Sequence, residues 1–95
     1  AAIPLEISSS GIAFQNKTGM PLTSVTLAIL PYGPGGEFTR RLSRVENTIK
    51  REVPLGEFRG RDGTPLNLRV TRPKSVRLQA EDATGKKYEV EVPWK

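Results

Sequence analysis

The sequence contains no cysteine and no histidine. Without cysteine there is no disulfide framework and no thiolate zinc site. Without histidine the usual general base is missing, together with the commonest metal ligand and every Ser-His or Cys-His nucleophile pair. Aromatic residues are few: one Trp, two Tyr and three Phe. The longest apolar stretch, around Ala28 and Leu30, is far shorter than the roughly 20 residues a membrane-spanning helix needs. No segment sustains a helical hydrophobic repeat over several turns. These absences exclude most familiar enzyme chemistries, so the reading is of a non-enzyme with no catalytic residue, metal or cofactor.

What is present points to strands. Hydrophobic residues make up 36% of the 95-residue chain, enough for one modest core and therefore for a single domain over residues 1–95. Nine Gly and eight Pro are spread along the chain as punctuation, cutting it into short segments at the spacing of a sandwich or barrel. Ile3, Leu5 and Ile7 alternate with Pro4 and Glu6, and Pro4, lacking an N–H, marks an edge strand. Ile12 and Phe14 form one face of a second strand. Val25, Leu27 and Ile29 face one way in a third, while Ala28 and Leu30 face the other, as expected of a central strand. Between them Lys17-Thr18-Gly19-Met20-Pro21 reads as a turn.

The middle of the chain is less regular. Phe38 and Leu42 share a parity with Arg40 and Arg44, so a single flat strand would set arginine in the core-facing row. A β-bulge near Arg40-Arg41 is the expected remedy. Further strands are expected over 48–53, and over Leu66, Leu68 and Val70, which alternate with Asn67 and Arg69. Phe58 should tuck under the loop 59–65, and residues 31–36, rich in Gly and Pro, should form another loop.

The C-terminal hairpin is the clearest piece. Val76, Leu78 and Ala80 alternate with charged or polar neighbours, as do Tyr88, Val90 and Val92. A three-residue loop Ala83-Thr84-Gly85, with Gly85 left-handed, closes Asp82 against Lys86. That register sets Ala80 opposite Tyr88 and Leu78 opposite Val90 on the dry face, and Glu81 opposite Lys87 and Arg77 opposite Glu91 on the wet one. The expected fold is all-β, an antiparallel two-sheet immunoglobulin-like β-sandwich of about seven or eight strands.

The run Phe14-Gln15-Asn16-Lys17-Thr18-Gly19-Met20-Pro21-Leu22-Thr23-Ser24-Val25-Thr26-Leu27 resembles the second-to-third-strand region of immunoglobulin-like and fibronectin type III-like domains of exported bacterial proteins. Val53-Pro54-Leu55-Gly56-Glu57-Phe58 and Asp62-Gly63-Thr64-Pro65 are similar to pieces of such domains. The resemblance implies a non-catalytic interaction, adhesion or spacer module that is secreted, periplasmic or on the cell surface. It carries no site residues with it, and the antibody-type cysteine pair is missing. Ala1-Ala2 is compatible with a cleaved leader or with an arbitrary boundary, and both alternatives stay open.

The sharpest chemical feature is charge. From Phe38 to Arg77 there are eleven Lys/Arg against four acids, whereas the rest of the chain has four Lys/Arg and six acids. A basic face attracts polyanions. An acidic protein or polysaccharide touching Tyr32, Arg40, Arg41, Arg59 and Arg61 is the expected partner. Those residues lie in the loops and basic strands where sandwich domains carry specificity. The alternative is a small basic β-barrel that binds nucleic acid or another polyanion, a reading weakened by the scarcity of exposed aromatics for base stacking. Asn16-Lys17-Thr18 matches a glycosylation acceptor, though a turn asparagine bonding its own backbone explains it equally. Pro4 and Glu6 blunt the first strand's edge, so a monomer is expected.

Overall fold

A computed structural model describes residues 2–33 and 36–94. Ala1, Pro34, Gly35 and Lys95 lie outside them, so the expectations for the start of the chain and for the loop at Pro34-Gly35 fall partly beyond the described residues. Seven strands form in the order β1 (Leu5–Ile7), β2 (Gly11–Gln15), β3 (Leu22–Pro31), β4 (Phe38–Leu42), β5 (Lys50–Pro54), β6 (Pro73–Asp82) and β7 (Lys87–Pro93). A 3-10 turn, Leu55–Glu57, follows β5 directly.

The strands make two antiparallel sheets, β1-β2-β5 and β4-β3-β6-β7. This is the expected two-sheet sandwich. The barrel form of the alternative reading is not what assembles. Alternation explains the core between the sheets: Ile12 and Phe14 of β2, Val25, Leu27 and Ile29 of β3, and Val76 and Leu78 of β6 are all buried. Ile3 before β1, Val45 after β4 and Phe58 after the 3-10 turn join the same contiguous cluster. Gly11 lets β2 approach β5 closely, because a Cβ there would lie 2.6 Å from the Val53 carbonyl oxygen.

The hairpin forms in the expected register, with Glu81 opposite Lys87, Ala80 opposite Tyr88, Leu78 opposite Val90 and Arg77 opposite Glu91. Gly85 has φ +91° and its N–H donates to the Asp82 carbonyl at 3.0 Å. Arg77 nevertheless pairs with Glu37, 2.8 Å away, while Glu91 accepts from the Ser75 hydroxyl at 3.0 Å. The Arg77–Glu37 pair belongs to the outer face of the larger sheet, where Ala28 of β3 sits opposite Arg77 and is itself buried. β3 is thus central and, at Ala28, covered on its outer side as well.

Two expectations for the middle of the chain fail. β4 pairs with β3 in unbroken register, with no bulge at Arg40-Arg41. Arg40 therefore stands opposite Leu27 in the inward row, between Phe38 and Leu42. The arrangement is tolerated because β4 is a sheet edge, where a long side chain can leave the sandwich sideways with its aliphatic stem against the core. The second failure is at Leu66, Leu68 and Val70, which form no strand. The Asn67 side chain accepts from the Arg69 N–H at 2.9 Å, and its carbonyl accepts from Val70 and Thr71 at 3.1 and 2.9 Å. An asparagine bonding forward onto its own backbone closes a turn in place of a ladder.

Each end of the sandwich gathers its own loops. At one end the 16–21 turn, the 43–49 connection and the hairpin tip meet: Ala83 N–H donates to Pro21 and Gly19 N–H to Asn47 Oδ1. The other end collects the 8–10 turn, Tyr32, the 55–72 connection and Trp94.

Candidate functional site

The buried polar side chains are Asn16, Ser75 and Asp82 among the described residues, and each has a structural partner. Asn16 Nδ2 lies 2.8, 3.1 and 3.2 Å from the carbonyls of Met20, Val45 and Glu46. Its Oδ1 accepts from the Thr18 N–H at 3.0 Å and the Thr18 hydroxyl at 2.7 Å. One carboxamide thus ties the β2–β3 turn to the β4–β5 connection. The side chain is fully buried, which leaves no room for a glycan on it.

Asp82 does the same work in the hairpin. Its Oδ1 accepts from the Thr84 hydroxyl at 2.6 Å and from the N–H groups of Thr84 and Lys86, and Oδ2 accepts from the Tyr88 hydroxyl at 3.0 Å. The Thr84 hydroxyl, helped by Tyr88 and the two N–H donors, brings the carboxyl down to about 2 against the opposing pull of burial. Burial and the bond to Asp82 raise the Tyr88 phenol above its usual range. Both Asp82 oxygens are engaged in closing the turn.

The five residues singled out as ligand contacts do not converge. Arg40 turns its guanidinium to Glu57 of the 3-10 turn, 2.9 Å away, and also bonds the Arg41 carbonyl. The Arg59 backbone bridges Thr39 in both directions at 2.8 and 3.1 Å, continuing the sheet one step past β4. Its guanidinium donates to the carbonyls of Gly56 and Phe58. These two arginines are fastened around the Leu55–Glu57 turn. Arg41 is exposed on the outer face opposite Thr26.

Arg61 and Tyr32 lie at the Trp94 end, in separate hollows. Arg61 lines an open hollow of about 770 Å³ with Gly36, Phe38, Gly60, Asp62 and Thr64. Hydrogen bonds from Thr64 hold Asp62 below the usual carboxylate range, as part of a tight turn with Gly63 at φ +85°. Tyr32, 58% exposed, closes β3, and its N–H donates to the Arg72 carbonyl at 2.9 Å. It lines another hollow, of about 500 Å³, with Leu68, Arg69, Val70, Thr71, Arg72, Pro73 and Trp94.

Arg69, Arg72 and Trp94 were not among the expected contact residues. Arg69 and Arg72 belong to the basic middle of the chain, so charge alone marks them. Trp94 carries no local signal, because only β7 pairing with β6 brings it beside residues 68–73. Among the described residues the ion pairs are Arg40–Glu57, Arg44–Glu46 and Arg77–Glu37, so Arg41, Arg61, Arg69 and Arg72 take part in none. No helix among the described residues is long and apolar enough to cross a membrane. Compared with protein families, curated proteins and solved structures, the chain finds no match in any of the three.

Proposed function

We propose that this chain is a non-catalytic interaction module of the immunoglobulin-like or fibronectin type III-like kind, working outside the cytoplasm and recognising an acidic partner. The observation that carries the reading is the sorting of charge. Glu37, Glu46 and Glu57 are paired with Arg77, Arg44 and Arg40, whereas Arg41, Arg61, Arg69 and Arg72 stand exposed and outside any of these pairs. Exposed arginines outside ion pairs produce a positive field that draws and orients an anionic surface. The strand order, with β2 and β5 in one sheet and β3, β6 and β7 in the other, supports the architectural part of the reading. The engagement of Asn16 and Asp82 in loop closure, and of Ser75 in a bond from β6 to Glu91 of β7, supports a scaffold role for the interior polar groups.

The test is binding to polyglutamate and to heparin, measured across a salt series. The reading expects binding that weakens with added salt and is lost when Arg41, Arg61, Arg69 and Arg72 are replaced by serine. Absence of salt-dependent binding to either polymer would overturn it. One observation favours a second reading: Tyr32 and Trp94 beside two arginines supply aromatic faces on which single-stranded bases can stack. Tighter binding to oligo-dT than to polyglutamate at equal salt would favour that reading.

A further inference from the structure

Four large apolar side chains are exposed among the described residues, and three of them, Tyr32, Leu68 and Val70, sit together around Trp94. Scattered exposed apolar groups need no explanation, but a contiguous patch with a polar rim marks an interaction surface. Leu68 and Trp94 also line an adjoining hollow of about 410 Å³ that reaches Ile7 and Leu55. Leu68 and Trp94 line both hollows, so the two adjoin at this end of the sandwich, and the one around Tyr32, Leu68, Val70 and Trp94 forms a groove edged by the 68–73 segment. Each hollow falls within the roughly 300–1,000 Å³ of ordinary binding clefts.

The groove is held in shape by backbone bonds. The Asn67-braced turn presents Leu68 and Val70, and the Tyr32 and Trp94 N–H groups donate to the carbonyls of Arg72 and Lys74, each at 2.9 Å. Val70 is 81% exposed on a braced turn, so its exposure is imposed by the fold. Preorganised apolar walls lower the ordering cost of binding. Among the described residues the charged side chains lining the groove are Arg69 and Arg72. A planar guanidinium pairs with a carboxylate in two-pronged fashion.

We infer that this groove takes an extended acidic segment of a partner protein, with carboxylates on Arg69 and Arg72 and apolar side chains against Leu68, Val70 and Trp94. The inference rests on the acidic-partner reading above and narrows it to one surface and one kind of ligand. A concave groove fits a chain better than a flat lipid surface, and aliphatic walls at Leu68 and Val70 fit apolar side chains better than bases.

The experiment is selection from a random twelve-residue peptide display library on the wild-type protein, counter-selected on the double variant Leu68→Ser/Val70→Asp. Both positions are exposed, and an unchanged melting midpoint checks that the variant folds. Expected are peptides combining acidic residues with one or two large apolar ones. They should change the emission of Trp94, the sole tryptophan, and bind the double variant and Arg69→Ser/Arg72→Ser at least tenfold more weakly. In a parallel selection without the counter-selection, enrichment only of acidic peptides without apolar anchors, insensitive to Leu68→Ser/Val70→Asp but lost in Arg41→Ser/Arg61→Ser, would overturn the groove and leave the acidic-partner reading standing. No enrichment over the counter-selected variant overturns the groove as well. Adsorption to phosphatidylserine vesicles or to oligo-dT in preference to every selected peptide overturns it in favour of lipid or nucleic acid.

Discussion

Arg40 occupies the inward row of β4 opposite Leu27, yet its guanidinium leaves the sandwich sideways and meets Glu57, 2.9 Å away, on the 3-10 turn that follows β5. The pair spans the two sheets at their open edge. Its side chains remain about 37% and 47% exposed, so the ionic contribution belongs with surface pairs, roughly 0.2–1 kcal/mol. A long arginine stem in the inward row covers apolar surface as well, so its methylenes should matter more than its charge.

Arg40→Met should therefore change stability by less than about 1 kcal/mol, whereas Arg40→Ala should cost more through lost packing. A double-mutant cycle with Glu57→Ala, followed by urea unfolding, reads the ionic part directly. A coupling well above about 1 kcal/mol would show the pair to be stronger than its exposure implies.

Asn16 should be the least replaceable polar side chain. Asn16→Ala removes the donor facing three carbonyls and the acceptor of Thr18, a loss of about 2–4 kcal/mol when each orphaned group is counted at its usual desolvation cost. Asn16→Asp should be worse at neutral pH, since it aims a carboxylate at the same carbonyls. Thermal or urea unfolding of the two variants checks the order.

These two residues also show what sequence reasoning reached. The β6–β7 register was legible because both strands alternate cleanly and Gly85 fixes the turn between them. Arg40 was not, because its inward position looks like a pattern error until the strand is known to be an edge. Leu66, Leu68 and Val70 alternate like a strand, and only the forward hydrogen bonds of Asn67 reveal a turn. Around the groove, Tyr32 is marked by its loop position and Arg69 and Arg72 only by the basic stretch they belong to, whereas Arg61 lines a separate hollow. Trp94 joins Tyr32, Arg69 and Arg72 through a pairing between distant segments, which no local pattern records.

Asp82 makes stability pH-dependent with a defined sign. Its folded carboxyl, at about 2, lies below its ordinary value of 3.8, so the stabilisation is complete above that ordinary value and is lost as pH falls through about 2. Asp82→Asn should be less stable than wild type at neutral pH, with the gap closing through this acidic window. Urea midpoints of the two proteins between pH 6 and pH 2, at steps of about one unit, follow it. A gap that stays constant would place the acid sensitivity elsewhere.

The account stands on the groove beside Trp94 being open and cationic, and Trp94 is the only tryptophan available to report it. The measurement is quenching of its fluorescence by iodide and by caesium at one fixed ionic strength, since salt screens such fields over about 10 Å. Arg69 and Arg72 should concentrate the anion and repel the cation. Relative to free N-acetyltryptophanamide under the same conditions, iodide should therefore quench severalfold more efficiently than caesium, and Arg69→Glu/Arg72→Glu should reverse that relative preference. Equal relative quenching by the two ions, or a preference untouched by the double substitution, would contradict the account.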